Sequence, residues 1–516
     1  MKSPPFLLIA AVIVGAALRW YQAGESLWVD ELHTSWSVSG SLGEVYERAA
    51  VGNQSPLYFW LAWLFYFVPG PPEIALRLPS LLAGCVLPVA MYWLTKQLLS
   101  LTSNEPAQEK LAPDDTTPLL AAWLIVVDPT GIFYAQEARP YALVQLLAVI
   151  HIGLLCNVIL TRNWQSRPLW IASGALLVHL HYTAALLLAA EAVAVLLMIG
   201  FTTRASDRRE LVLARILDLF AMLLLVSPAI SGMLSVAGHR DNWKSFVTPP
   251  TWEGLFTIFP WNIAAVALIV LNNWRSVIPQ RAVIVIACWL FVPLSIAWFT
   301  TQLNLAPLFH ARYLLAAWPA SVIAAALCVR FARSENIRSA LIGILLAIAV
   351  RNSGMIRNAR DTGRLLTDRK ENWRAAVTDL NEQLQAATSP VLLRTGFIET
   401  DELLTRDDKL FREYSVCPAR GMYHVQVSDE LLIPLTYTNP GQLSAEARQA
   451  LIEHHGGWLL IRSSSATVRR ELIEQLTNSI GSEYGVTAAE PREYGGVYLQ
   501  RVDLKKREPA TPIPSP

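Results

Sequence analysis

MKSPPFLLIAAVIVGAALRWYQAGESLWVDELHTSW, residues 1–36, sets an apolar run of nearly one membrane thickness directly before two adjacent carboxylates, Asp30 and Glu31. A helix needs about 20 apolar residues to cross a hydrocarbon core about 30 Å thick. Residues 4–20 approach that length, with Lys2 in front. A basic start before an apolar stretch is also the layout of a secretory signal. YQAGESLW offers a poor small-residue cleavage site, so the segment is read as an anchor that stays in place. Whether this is a membrane protein then depends on whether the pattern recurs.

It recurs along two thirds of the chain. The 516 residues are 53% hydrophobic and 16% charged, with 18 tryptophans, against about 25% charged in an ordinary globular protein. Apolar runs at 4–20, 56–69, 76–100, 117–134, 140–160, 169–200, 211–236, 254–272, 282–300, 312–332 and 336–352 give about 11 to 13 spans, the run 169–200 being long enough for two short helices. Trp20, Trp28, Trp164, Trp170 and Trp274 stand at the edges of these runs, as in an interfacial aromatic belt. The basic loop TTRASDRRE (202–210), with Arg204, Arg208 and Arg209, reads as cytoplasmic, and with Lys2 it puts Asp30 and Glu31 on the outer face.

From about residue 361 the pattern changes. VLLRTG (391–396), WLLIRS (458–463) and VYLQRV (497–502) read as strands, separated by the helical stretches SAEARQALIEHH and ATVRRELIEQLTNSI, so a small α/β domain is expected. The domain reading is a membrane domain at 1–352 with an outer loop at about 21–55, an α/β domain at 361–505, and a Pro-rich disordered tail at 506–516. The five cysteines offer no disulfide framework, four of them lying in apolar runs. A net charge of +1 gives no electrostatic case for nucleic acid, which needs a surplus of Lys and Arg on one face.

Four polar constellations stand out against this background. Asp30 and Glu31 alone read as a solvated loop, but GSLGEVYERAA, with Leu42, Val45 and Ala49 at helical spacing, reads as an interfacial helix that covers them. IFYAQEARPYAL (132–143) places Glu137, Arg139 and Tyr141 between apolar runs, where an ionisable pair is either a functional site or a structural ion pair at a helix junction. LVHLHYTAAL holds His179, His181 and Tyr182. Spaced i, i+2, the two histidines cannot share one face of a regular helix, so one facing a cavity and one structural is expected. LFHARYLLAAWPA (308–320) brings His310, Arg312 and Tyr313, with Arg312 either snorkelling to the interface or recognising a phosphate. No Gly-rich nucleotide loop, Walker lysine, zinc spacing or nucleophile elbow is present.

WVDE, SPLYFWL, LRLPSLLAG, FYAQEARPYAL, LHYT and ARYLL follow one another between about residues 20 and 320, and NWRAAV (372–377) follows in the C-terminal part. In that order they resemble the bacterial glycosyltransferase family 39 group, relatives of protein O-mannosyltransferases and of the lipid A aminoarabinose transferase. The resemblance implies a GT-C fold and an inner-membrane enzyme that moves a sugar from a polyprenyl-phosphate donor to a protein, lipid or glycan acceptor at the outer face. Asp30 matches the catalytic acidic position of the first outer loop, and a carboxylate there takes the acceptor's proton while attack opposite the phosphate inverts the anomeric centre. Glu31 is read as supporting Asp30 or binding acceptor. Glu137, Arg139, Tyr141, His181, Tyr182, Arg312 and Tyr313 are read as contacts to the donor phosphate or the substrate, with Arg139 and Arg312 neutralising the leaving phosphate. No cofactor is assigned, a divalent metal being allowed but not required. The run NQSPLYF carries Asn53, Gln54 and Ser55 where some members have His or a basic residue, so no metal ligand carries over.

The rival readings are a polytopic transporter, with Asp128 and Glu191 lining a pathway, and a GT-C-like polysaccharide ligase or polymerase using another loop.

Overall fold

A computed structural model describes residues 4–101, 115–160, 164–202, 205–240, 247, 249–366, 371–386, 388–406, 408–463, 465–481 and 483–507. Lys2, Arg204 and most of the expected tail lie outside the described residues. The chain forms two compact units, one of Met1–Ala23, Asn53–Phe65 and Ile74–Thr367, the other of Gly24–Gly52, Tyr66–Glu73 and Asp368–Pro516. The outer stretch that the sequence groups with the membrane domain thus folds as part of the C-terminal unit.

The first unit is helical wherever the sequence is continuously apolar. Among the described residues, Pro72–Leu99, Tyr141–Val158, Tyr182–Gly200, Val212–Gly238 and Gln280–Gln302 are long and apolar enough to cross a membrane alone. Thr117–Val127 with Pro129–Ala135, and Glu335–Asn352 with Met355–Thr362, are pairs bent by 59° and 42° that would cross together, while Pro5–Trp20 and Trp318–Phe331 are shorter apolar helices. The first bend has a covalent cause. Asp128 precedes Pro129 and is driven to an extended backbone, and its carboxylate caps the next helix by accepting from the amides of Thr130 at 2.8 Å and Gly131 at 3.4 Å.

Two apolar runs are divided, the first as its length allows. The run 169–200 divides at His181, whose backbone is extended, into Arg167–Leu180 and Ala185–Thr202 joined by a single tight turn at Tyr182–Ala184. The run 254–272 becomes Gly254–Thr257 and Asn262–Arg275, with Pro260 in the gap. Helix Ala205–Gly238 exposes Leu213, Ile216, Leu217, Phe220 and Leu224 along one stripe, a face suited to lipid. Trp20 and Trp274 are exposed as an aromatic belt requires, but Trp170 is buried.

Some buried polar side chains inside this unit pair with backbone. Arg19, fully buried, donates to the carbonyls of Gly15 and Ile125, each at 3.1 Å, and Gln136 donates to the carbonyl of Arg19 at 3.1 Å. With no water in hydrocarbon to take those carbonyls, such internal pairing is what lets a helix start or bend there.

The C-terminal unit carries one mixed sheet: β1 (Val391–Arg394), β2 (Leu432–Pro434), β3 (Gly456–Arg462), β4 (Tyr484–Ala488), β5 (Arg492–Tyr494) and β6 (Val497–Lys506). The order is β2-β1-β3-β6-β4, with β5 also on β6. β1, β2 and β3 run parallel, and β6 is antiparallel to its neighbours. β1, β3 and β6 occupy the expected stretches, and helices Ala445–Glu453 and Ala466–Ile480 form where predicted. Leu392, Leu459, Leu472, Leu476, Ile480 and Tyr498 build the core between sheet and helices. Leu459 is fully buried, so Leu459→Ala should cost this unit about 2–5 kcal/mol, read as a lower denaturant midpoint for its unfolding.

Candidate functional site

Asp30 and Glu31 sit in the first turn of a helix, Val29–Val38, where the sequence offered a loop. The two carboxylates differ in setting. Glu31 is fully buried and folds back to accept the Trp28 amide at 3.3 Å, closing its own helix start. Asp30 is half-buried. Its charge reaches Cys417, and burial, reinforced by the Asp30 carboxylate, pushes that thiol well above its ordinary value. Since the thiolate is the reactive form, Cys417 in the native protein should react with N-ethylmaleimide at least about 100-fold more slowly than in the unfolded chain, as peptide mass spectrometry would show.

The covering helix forms at Glu44–Val51, with Val45 and Ala49 buried. Leu42 precedes it and is exposed, and the buried face packs on helices Val29–Val38 and Lys409–Ser415. Trp36, Phe411, Tyr414 and Cys417 form one cluster, against which His33 sets its ring edge-on to Tyr414 at 5.4 Å, its Nε2 lying 3.0 Å from the Arg48 carbonyl oxygen.

The other candidate residues lie in the first unit, and the fold brings them together. Tyr134 and Tyr141 meet at 4.9 Å between ring centroids, Tyr141 and His181 at 5.6 Å, and His181 and Tyr313 at 6.2 Å. The Arg312 guanidinium stands 5.1 Å over the Tyr313 ring and donates to its hydroxyl at 3.2 Å. Thr183 ties the segments by donating to the Tyr313 carbonyl at 2.9 Å while its Oγ1 lies 2.8 Å from His181 Nδ1. Arg139 and Arg312 both lie within electrostatic reach of His181, and Glu137 and Arg312 of Tyr134.

Arg139 is buried with its guanidinium 6.0 Å from the Phe59 ring. Its carbonyl accepts from Ser80 Oγ at 2.8 Å, and Ser80 Oγ lies 3.0 Å from the Tyr58 hydroxyl. SPLYFWL, LRLPS, QEARPY, LHYT and ARYLL, dispersed in sequence, therefore share one neighbourhood. Guanidinium forks match phosphate oxygens, and the aromatic faces beside them suit a sugar or an isoprenoid chain.

Tyr182 stands slightly apart, its hydroxyl lying against Gly232, where a Cβ would come within 2.3 Å. His179 stays helical, Nε2 lying 2.9 Å from the Leu225 carbonyl oxygen, while Ser55 Oγ donates to the His179 carbonyl. Tyr134 and Thr183 belong to this group though the sequence singled out other members, and His310, which the sequence set beside Arg312 and Tyr313, joins them. Each lies within two residues of a named one or inside a quoted motif, which was the available signal. His310 accepts from the Arg312 amide at 3.3 Å, and burial, with Arg312 second, holds its imidazole below the ordinary value, neutral at pH 7.

The charges a transport pathway would need have local partners instead. Asp128 is a helix cap, and Glu191 lies 2.7 Å from His151 Nε2, whose Nδ1 is 2.9 Å from Ser173 Oγ. Among the described residues no three His, Cys, Asp or Glu side chains group as metal ligands.

No protein-family model matches the chain, and no curated protein sequence does. Among solved structures it is similar to ArnT from Cupriavidus metallidurans bound to undecaprenyl phosphate, at TM-score 0.52 and 11% identity over 96% of this chain and 97% of that one. The Archaeoglobus fulgidus oligosaccharyltransferase matches in its apo form at TM-score 0.49 and 10% identity, over 88% of this chain and 69% of the other. The form tethered to an acceptor peptide matches at 0.46 and 12%, over 88% and 68%. The end-to-end likeness to the Cupriavidus protein, with the membrane helices and the small C-terminal sheet, gives this chain the polytopic GT-C fold.

Proposed function

We propose that the protein is a glycosyltransferase of the family 39 type, moving a sugar from a polyprenyl-phosphate donor to an acceptor at the outer face of the bacterial cytoplasmic membrane. The observation that carries this is the cluster in the first unit. Tyr134, Arg139, Tyr141, His181, Arg312 and Tyr313 come from three distant segments and surround two guanidiniums with aromatic rings. The GT-C fold is consistent with it, and the ArnT of that fold was solved with undecaprenyl phosphate.

The roles follow from the bonds that change. The acceptor nucleophile attacks the anomeric carbon, its proton passes to Asp30, and the bond from that carbon to the phosphate oxygen breaks with inversion. The electron pair leaves on the polyprenyl phosphate, whose added negative charge Arg312 and Arg139 stabilise. Glu31, already spent on the Trp28 amide, supports the helix that carries Asp30. Membranes containing the protein, given radiolabelled undecaprenyl-phosphate hexoses and 4-amino-4-deoxyarabinose in turn, should consume at least one donor. A well-expressed protein that leaves all of them intact contradicts this function.

A further inference from the structure

Glu371 immediately precedes the NWRAAV segment, which begins Asn372-Trp373-Arg374 and for which the reaction above has no use. It lies some 340 residues from the acidic pair in sequence and yet holds the start of its helix. Glu371 Oε2 accepts the Val29 amide at 3.0 Å and the Trp373 indole N–H at 2.9 Å, while Oε1 accepts from Arg462 Nε at 2.6 Å. Arg374 donates to the Gly24 carbonyl at 2.8 Å and to Glu73 Oε1 at 2.8 Å, and its amide donates to Ser26 Oγ at 3.2 Å. The Tyr423 hydroxyl accepts the Leu27 amide at 3.0 Å and donates to the same Glu73 oxygen at 2.8 Å. Farther along the helix, the Met422 amide donates to Ser35 Oγ at 2.9 Å, and a Cβ on Gly421 would come within 3.1 Å of the Trp36 amide nitrogen.

The first amides of a helix have no partner within it. Here the Trp28 and Val29 amides are taken by Glu31 and Glu371. Residues 24–35 are thus held at Gly24, Ser26, Leu27, Val29 and Ser35 by groups from the C-terminal stretch. Trp373, fully buried, anchors the segment that supplies three of those groups.

We propose that Glu371 and Arg374 are positioning residues for Asp30, a clamp through which the C-terminal unit fixes the general base. The proposal rests on the assignment of Asp30 as base. A carboxylate displaced by about 1 Å can lose about 100-fold in rate without loss of substrate binding, and that split separates positioning from a general loss of fold.

The test uses the full-length purified protein, whichever labelled undecaprenyl-phosphate sugar it consumes, and two readouts: the kcat and KM for that donor, and N-ethylmaleimide labelling of Cys417. Glu371→Ala is expected to lower kcat about 100-fold with donor KM within about twofold, and to speed Cys417 labelling, since helix Val29–Val38 packs over the 417–419 turn. Arg374→Lys should recover about tenfold over Arg374→Ala. Arg492→Gln, which breaks the 2.5 Å pair with Asp379 elsewhere in the same unit, should match wild type in both readouts. Where Glu371→Ala yields too little protein, Glu371→Gln and Arg374→Lys supply the same comparison. Wild-type kcat and unchanged Cys417 labelling in the Glu371 and Arg374 variants, alongside an inactive Asp30→Asn, would overturn the clamp and leave the base assignment standing. Wild-type turnover by Asp30→Asn would overturn both, and is told apart by arising in that variant.

Discussion

Asp30→Asn should lower sugar transfer by about 10³-fold, within the 10²–10⁴ that a positioned general base supplies, while Glu31→Gln should keep transfer within about tenfold of wild type. The asymmetry follows from the helix start. Glu31 is buried and its carboxylate accepts the Trp28 amide, a bond that a glutamine carbonyl can still accept, so the substitution keeps that bond while removing the charge. Asp30 is half-buried on the same turn, and asparagine there preserves shape but cannot take a proton. Transfer of label to acceptor, normalised to protein in the membrane, checks both. Equal losses in the two variants would mean that the pair acts as one coupled group.

Arg312→Ala should lower donor turnover by about 10²–10³-fold, the range for removing one preorganised donor from a developing anion, with Arg312→Lys between that and wild type. Lysine keeps the charge and gives up the planar fork that spans two phosphate oxygens. Arg312 is a better probe than Arg139, which is buried; truncating a buried charge that interacts with its surroundings can cost about 3–5 kcal/mol of stability. Arg312 already donates to the Tyr313 hydroxyl, so Tyr313→Phe serves as the control for its orientation. Steady-state kinetics with labelled donor lipid separates the effects, since a lost phosphate contact that matters mainly as charge develops appears in kcat more than in KM.

The membrane helices were legible because lipid imposes a length and a composition on them. What was not legible was where a continuous apolar run breaks. The run 169–200 had the length for two helices, but only the extended backbone at His181 shows where it divides, and Pro260 interrupts a run that hydropathy reads through. Helix Val29–Val38 was missed for a different reason. VDELHTSWSV is buried on nearly every side, with Thr34 and Ser35 satisfied by the Asp30 carbonyl and the Met422 amide, so no apolar stripe of helical period exists to be seen. β2, β4 and β5 escaped because they are short and lie at the less buried margins of the sheet.

The candidate residues of the first unit were found from short motifs, and their meeting around His181 could not have been read from spacing, since Tyr141 and Tyr313 are far apart in sequence. The clamp at Glu371 and Arg374 was still less accessible. Its partners are backbone amides and carbonyls of residues 24–29, and a backbone group leaves no mark in composition. The sequence pointed only to NWRAAV, with no role attached.

Release of undecaprenyl phosphate from a radiolabelled undecaprenyl-phosphate sugar tests the central assignment most directly. The purified protein should release it in an amount equal to the sugar transferred, and Asp30→Asn should release about a thousandth as much in the same time. Release at the wild-type rate by Asp30→Asn, or none from any donor by a folded wild-type protein, would contradict the assignment.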